Sequence, residues 1–330
     1  MIVLGIETSC DDTSAALVKD GRVLLANVFS SQVAIHKEFG GVVPELASRS
    51  HLEKLPATVD EALAKAGVTL EQVDAVAVTY GPGLIGALLV GLMAGKGLAA
   101  ALGKPLVGVN HLQAHLAACM IADPTLEPPF LGLVVSGGHT ALVRVNAVDE
   151  FRIIGQTRDD AAGEVLDKVG RLMGLPFPAG KYIEEEARAG DASRVKMPRS
   201  KMGDLLEFSF SGLKTAVSQL VRNGGNARPD LCAALQGAII DALASKAELA
   251  LGETGLPVLA LAGGVAANGP LRARLAAVAA ARGARFVVPS NLLCTDNAGM
   301  VAALGGLKLA RGYMSPLDLG PQPSLSLEAN

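Results

Sequence analysis

IleValLeuGlyIleGluThrSerCysAspAspThrSerAlaAlaLeuVal, residues 2 to 18, reads as a strand, a short polar turn and a second strand. Ile2 to Ile6 is apolar and β-branched enough for a strand buried on both faces, and Ser14 to Val18 resumes that character after the polar GluThrSerCysAspAsp. Asp20 and Gly21 supply the next turn and Arg22 to Val28 alternates, which predicts an antiparallel meander of three strands. Helical spacing from Glu45 to Ala66, a short apolar strand at Val73 to Val78, TyrGlyProGlyLeuIleGly and a helix from Leu84 to Leu102 then make the class α/β.

The opening outline recurs. Phe130 to Val135 is a strand, SerGlyGlyHisThr a turn and Ala141 to Val145 a strand, so a duplicated domain is expected in which each half offers a hairpin loop to a shared cleft. A length of 330 residues also favours two lobes. Residues from about 150 to 228 depart from the plan, with charged helices and ProPheProAlaGly at 176 to 180, and read as a helical insertion in the second lobe. Helix Ala233 to Leu251, strand Pro257 to Ala262, helix Pro270 to Arg282, strand Phe286 to Val288 and a helix to Ala310 complete the order. The expected division is a first lobe at 1–108 rejoined by 297–330, and a second at 109–296, with a loose Pro- and Ser-rich tail after Ser315.

Composition narrows the function. Aromatic residues make up 3% and Trp is absent, which disfavours stacking platforms for single-stranded nucleic acid. Net charge is −3, with 29 basic and 32 acidic residues, so any nucleic-acid surface must be local. The densest basic stretch, Arg194 to Arg228, carries seven basic residues against two acidic, including Lys196, Arg199 and Lys201. Cys10, Cys119, Cys232 and Cys294 lie far apart with no CxxC, as in a reducing compartment. No basic leader opens the chain, and the apolar run Gly83 to Gly95 is short of the ~20 residues of a bilayer span, so a soluble, cytoplasmic protein with no membrane partner is expected.

Two of the five histidines stand four apart in AsnHisLeuGlnAlaHis, residues 110 to 115, just past a strand-like Lys104 to Val109. On a helix, His111 and His115 share one face. The pair lacks the Glu of HExxH, which removes the zinc-peptidase chemistry, and HxxxH is equally the pattern of two core histidines. Asp296, in a polar turn before a helix, is the carboxylate best placed in sequence to be a third ligand, and such a set suits Fe(II) or Zn(II). SerGlyGly at 136 to 138 could present backbone amides to a phosphate, although an ordinary hairpin with glycine at positive φ has the same sequence. AlaGlyGlyValAlaAlaAsn at 262 to 268 is not GxGxxG, and no P-loop is present. Asp11, in the first polar turn, is a candidate electrostatic or proton-accepting residue and equally a solvated turn aspartate.

Taken together, GlyIleGluThrSerCysAspAspThr (5–13), GlyGlyValValProGluLeuAlaSerArgSerHis (40–51), TyrGlyProGlyLeuIleGlyAlaLeuLeuValGly (80–91), AsnHisLeuGlnAlaHis, ValSerGlyGlyHisThr, PheSerPheSerGlyLeuLysThrAlaVal (208–217), AlaGlyGlyValAlaAlaAsn and CysThrAspAsnAlaGlyMet resemble the TsaD family, also called Gcp or YgjD. The resemblance runs in order over nearly the whole chain. It implies two ribonuclease-H-like lobes of the actin, Hsp70 and sugar-kinase (ASKHA) fold around a nucleotide cleft. It also implies transfer of a threonylcarbamoyl group from threonylcarbamoyl-adenylate (threonylcarbamoyl-AMP) to the N6 amine of the adenosine just 3′ of the anticodon, in tRNAs reading codons that begin with A. The implied partners are tRNA, the shorter relative TsaB and the ATPase TsaE, with TsaC supplying the adenylate. The implied cofactors are one divalent metal, Fe(2+) before Zn(2+), and an adenine nucleotide. Family metal ligands fall on His111, His115 and Asp296, and substrate contacts on Val134, Val135, Ser136, Gly137, Gly138, Asp167, Gly180 and Asn268. Where the family commonly has GlyGlyPro this chain has Ala179, Gly180 and Lys181, so the loop shape there is in question; Glu184 stands where members often carry an acid.

Overall fold

The first seven residues form the axis of the first sheet. In the computed structural model, which describes residues 1–198 and 203–329, β1 (Ile2–Glu7) pairs antiparallel with β2 (Asp12–Lys19), and β2 with β3 (Val23–Ser31). Asp20 and Gly21 both take positive φ, 52° and 68°, as a two-residue hairpin turn in a twisted sheet requires. On its other side β1 pairs parallel with β4 (Ala75–Gly81), and β4 with β5 (Leu106–Asn110), giving the order β3-β2-β1-β4-β5. All seven residues of β4 are buried, which accounts for its unbroken apolar run.

Helices cover both faces of this sheet. After the single turn α1 (Val33–His36), α2 (Pro44–Ala66) packs on β2 and β3, and α3 (Ile85–Leu102) packs on β4 and α2. Among the described residues α3 alone is long and apolar enough to cross a membrane by length and composition, and a third of it is buried within the fold. α4 (His111–Ala122) follows β5 directly. Late in the chain come the single turn α10 (Asn291–Cys294) and α11 (Ala298–Ala310), and α11 lies against β1, β2, β4 and α4. Its small residues permit this closeness: a Cβ on Gly5 would stand 2.3 Å from the Ala298 carbonyl oxygen, and one on Gly305 would stand 2.4 Å from the Ala77 Cβ.

The second sheet repeats the plan. β6 (Phe130–Val135), β7 (Thr140–Ala147), β8 (Glu150–Gln156), β9 (Val258–Ala262) and β10 (Arg285–Val287) run in the order β10-β9-β6-β7-β8, the first sheet's order read from the other edge. Its third strand, PheArgIleIleGlyGln within β8, starts inside the stretch that reads as insertion, so the added helices begin only after Gln156. They are α5 (Ala162–Leu172), α6 (Gly180–Ala187) and α7 (Ser211–Asn223), followed by α8 (Arg228–Thr254) and, after β9, α9 (Gly269–Ala281).

Packing divides the chain into unit 1, Met1–Pro128 with Val145–Arg152 and Pro289–Asn330, and unit 2, Pro129–Arg144 with Ile153–Val288. This division differs from the boundary at 108/109 read from sequence. α4 follows the first sheet because α11 and β5 are its packing partners, and the Asp296 turn does likewise. The chain after Ser315 is not loose. Ser315 donates its amide to the Leu106 carbonyl at 2.8 Å, Gln322 donates to Tyr80 at 2.7 Å, and Leu327 is 2% exposed. A tail without periodicity carries no sequence signal of order, yet its backbone groups find partners on the β4 and β5 ends.

Candidate functional site

β5 ends in Asn110, whose side-chain oxygen accepts from the Leu112 and Gln113 amides at 3.0 and 3.4 Å and so starts α4. That cap fixes His111 as the first helical residue and His115 one turn later, with ring centroids 4.7 Å apart and planes at 78°. Asp296 arrives from the turn before α11. Its neighbour Asn297, fully buried, accepts from the Met300 amide and donates to the Leu293 and Thr295 carbonyls, so the turn is held on both sides. One Asp296 oxygen then lies 3.5 Å from His111 Nε2 and 3.3 Å from His115 Nε2. One ligand atom from each of the three residues can be chosen so that all lie within 4.8 Å of one another.

These residues fit a divalent metal. His115 is fully buried and neither ring nitrogen makes a well-formed hydrogen bond, although Nε2 faces Asp296 at 3.3 Å; a cation bound at Nε2 would satisfy that nitrogen. Two imidazoles and a carboxylate are the donor set of open Fe(II) and Zn(II) sites. Burial alone would raise the Asp296 carboxyl, but the two imidazoles hold it well below the usual carboxylate range. Burial alone would lower His111; Asp296 and Glu7, one on each side, lift it well above its ordinary value.

Glu7 is the residue that sequence reading passed over. At the end of β1 and fully buried, it accepts from the Ser9 amide at 2.5 Å, from Thr79 Oγ1 at 2.7 Å and from His111 Nδ1 at 3.0 Å. The polar turn that follows carries Asp11 and Asp12. Burial, with the Asp296 charge adding to it, raises both carboxyls, Asp12 to about 7, and Asp12 Oδ1 is buried without a partner. Nearby, His51 bonds the Thr13 hydroxyl at 2.7 Å and the Cys10 carbonyl at 3.0 Å.

The predicted substrate contacts all fall in unit 2. Val134 and Val135 are buried at the end of β6, and Ser136 closes the turn by donating its amide to the His139 carbonyl at 2.8 Å. Gly137 and Gly138 are exposed, and neither has the positive φ that an ordinary glycine hairpin would use. Two other glycines press on this loop: a Cβ on Gly163 would meet the Ser136 carbonyl oxygen at 2.5 Å, and one on Gly263 would meet that of Val135 at 2.4 Å. The Thr140 hydroxyl accepts from the Ala162 amide at 3.0 Å and fastens α5 beside it. Asp167 accepts from the Ala179 amide at 2.7 Å, which sets the approach to Gly180 at the start of α6. Asn268 caps α9 through the Leu271 amide and donates to Gln236, so both ends of its side chain have partners within the protein. A Cβ on Gly269 would lie 3.3 Å from Glu184, placing that acid beside the Asn268 turn.

The basic stretch is less positive than its sequence. Arg194 pairs with Asp191 and Asp230, Lys214 with Asp160 and Arg228 with Glu186, while Lys196 is exposed. Arg199 and Lys201 lie outside the described residues.

Comparison with known proteins identifies the family. The family model described as "TsaD: tRNA N6-adenosine threonylcarbamoyltransferase" matches residues 23–303. Proteins named tRNA N6-adenosine threonylcarbamoyltransferase from Anaeromyxobacter dehalogenans and Geotalea uraniireducens are 51% and 46% identical to this chain, covering 98% and 100% of it and 99% and 97% of their own lengths. Among solved structures, HypF of T. kodakarensis superposes with a TM-score of 0.65 at 17% identity over 94% of this chain and 48% of its own, a likeness of fold alone. Two sheets of one order, the His111, His115 and Asp296 group and full-length similarity lead to one assignment: the chain has the two-lobed ASKHA fold and belongs to the TsaD family of tRNA N6-adenosine threonylcarbamoyltransferases, transferases that modify tRNA.

Proposed function

We propose that the chain transfers the threonylcarbamoyl group of threonylcarbamoyl-AMP to the N6 amine of adenosine 37, in tRNAs reading codons that begin with A, with a divalent metal held by His111, His115 and Asp296. The single observation that carries the metal part is the buried His115 ring, which makes no well-formed hydrogen bond and whose Nε2 faces the same Asp296 oxygen as His111 Nε2, at 3.3 and 3.5 Å. In this reaction the N6–carbonyl carbon bond forms, the bond from that carbon to the phosphate oxygen breaks, AMP leaves with the electron pair and the amine gives up a proton. Fe(2+) is the first choice and Zn(2+) the second; either supplies Lewis-acid stabilisation of negative charge.

Each unit carries its own share. In unit 2 the amides of Gly137 and Gly138 are the donors for the adenylate's phosphate, since the Ser136 amide is already used within the turn. Asp167 and Asn268 set the Gly180 approach and the α9 start, and so act by shaping the pocket. In unit 1, Asp11 remains the candidate proton acceptor or electrostatic group, with Asp12 beside it. The N6 amine is a weak nucleophile, so orientation supplies much of the rate. Lys196, with Arg199 and Lys201, is the proposed phosphate-contacting stretch for tRNA. Cytoplasmic TsaB and TsaE as partners, and TsaC as the source of the adenylate, complete the reading.

The test is reconstitution with purified partners, tRNA, threonine, bicarbonate and ATP, followed by mass spectrometry of tRNA nucleosides. His115→Ala is expected to lower the modified nucleoside at least about 100-fold and to remove the metal in elemental analysis. Full modification by a metal-free His115→Ala protein would remove the metal from the mechanism.

A further inference from the structure

We infer that Glu7 is a positioning residue for the metal centre: its carboxylate keeps the hydrogen of His111 on Nδ1, so that Nε2, on the Asp296 side of the ring, is the nitrogen a metal would take. The inference rests on the proposed reading of His111, His115 and Asp296 as metal ligands.

Three observations carry it. The Glu7 carboxylate is fully buried, and its oxygens take hydrogen bonds from the Ser9 amide, the Thr79 hydroxyl and His111 Nδ1. An ionised carboxylate only accepts, so the hydrogen between Glu7 and His111 sits on Nδ1 and leaves Nε2 as the ligand atom. The ring is thereby aimed, because Nε2 is the nitrogen 3.5 Å from Asp296. Ser9 Oγ, 3.2 Å from the same Nδ1, can serve only as a second acceptor once Nδ1 carries the hydrogen. His115 has no acceptor at Nδ1 comparable to Glu7, so the protein presets one ring of the pair from behind and leaves the other without such a partner.

The Glu7 carboxylate is itself fixed. Glu7 ends β1, Thr79 belongs to the adjacent parallel strand β4, and His111 follows β5 on the far side of β4. A carboxylate, imidazole and cation in series is the arrangement by which outer groups orient ligands and raise their basicity. A purely structural role, tying β1 to β4 through Thr79, would need no imidazole at 3.0 Å and would leave metal affinity unchanged when only the charge is removed.

The experiment uses the metal-stripped full chain titrated with Co(2+), read by its visible absorption and by calorimetry. Glu7→Gln is expected to weaken Co(2+) binding about 10- to 100-fold and to move the absorption bands, while His111→Ala removes binding. In the His111→Ala background Glu7→Gln should change nothing further. Thr79→Val, which keeps the carboxylate but removes the hydroxyl that fixes Oε2, the oxygen facing His111, should weaken binding about 3- to 10-fold, and it decides the matter alone should Glu7→Gln not fold. Parent-like Co(2+) affinity in folded Glu7→Gln or in Thr79→Val, with binding still lost in His111→Ala, would overturn the role of Glu7 and leave the metal site standing. Parent-like binding in His111→Ala would instead overturn the metal-site reading.

Discussion

Units 1 and 2 share one strand order, yet on the proposed reading they build their functional surfaces from opposite materials. In unit 1 the proposed metal chemistry rests on ionisable side chains, the buried Glu7, His111 and His115 and the partly exposed Asp296, held by caps and by one another. In unit 2 the corresponding hairpin contributes backbone, and the residues that shape it are glycines whose missing Cβ atoms let the Ser136 and Val135 carbonyls come close. Duplicated topology therefore fixes where a loop emerges and leaves its chemistry free. Unit 1 should fail by loss of a single atom, and unit 2 by gain of one.

The largest effect that sharpens this contrast is expected at Gly163. Gly163→Ala puts a Cβ 2.5 Å from the Ser136 oxygen, so the loop must shift. Activity should fall about 10-fold or more through a raised KM for the adenylate, with metal content unchanged. Gly237→Ala, in α8 of the same unit, is the control, since its Cβ would meet nothing within 4 Å, and near-parent activity is expected. Equal losses at both positions would break the comparison.

A smaller effect is expected from Gln113→Ala in α4. Gln113 accepts from the buried Lys308 ammonium at 2.9 Å and donates to the Leu327 and Ala329 carbonyls. Truncating it leaves those groups unpaired at a cost of about 2 kcal/mol, read as a lower denaturation midpoint, while unit 2 glycine variants that fold should cost less.

The last effect runs the other way. In metal-free protein Asp12 has its carboxyl raised from 3.8 to about 7, chiefly by burial and then by Asp296. A folded-state value above the unfolded one means that the folded chain binds more protons between those limits. The contribution of Asp12 is therefore least unfavourable below pH 4, and stability is lost as pH rises from about 4 through about 7. Asp12→Asn should stabilise the metal-free protein on the order of 2 kcal/mol at pH 8 and by little at pH 4, after allowing for the partial exposure of Asp12. A pH-independent difference would contradict it.

Local signals made much of this legible. Alternation and Asp20–Gly21 are enough for the first meander, and the Asn110 cap with four-residue spacing is enough to put two imidazoles on one helix face. The choice of Asp296 relied on a polar turn before a helix, and the structure does bring it to both rings. What stayed hidden depends on strand adjacency. Glu7 and His111 are 104 positions apart and meet because β4 lies between β1 and β5, which no local pattern encodes. β8 was masked by its arginine and its charged surroundings, and the assignment of α4 to unit 1 follows from packing on α11, nearly 200 residues later. The tail is ordered by backbone bonds that composition does not foretell.

That tail has a consequence for the order of events during synthesis. His111 and His115 leave the ribosome early, but Asp296 comes only after all of unit 2, and the segment that the Asn110 and Gln113 side chains grip, Ser326 to Ala329, comes later still. A nascent chain can complete its second sheet before Asp296, the third of the proposed ligands, is made. On the proposed reading, loading with metal is thus a late event, and a chain that stops before Ser326 lacks the carbonyls that the Asn110 and Gln113 side chains hold.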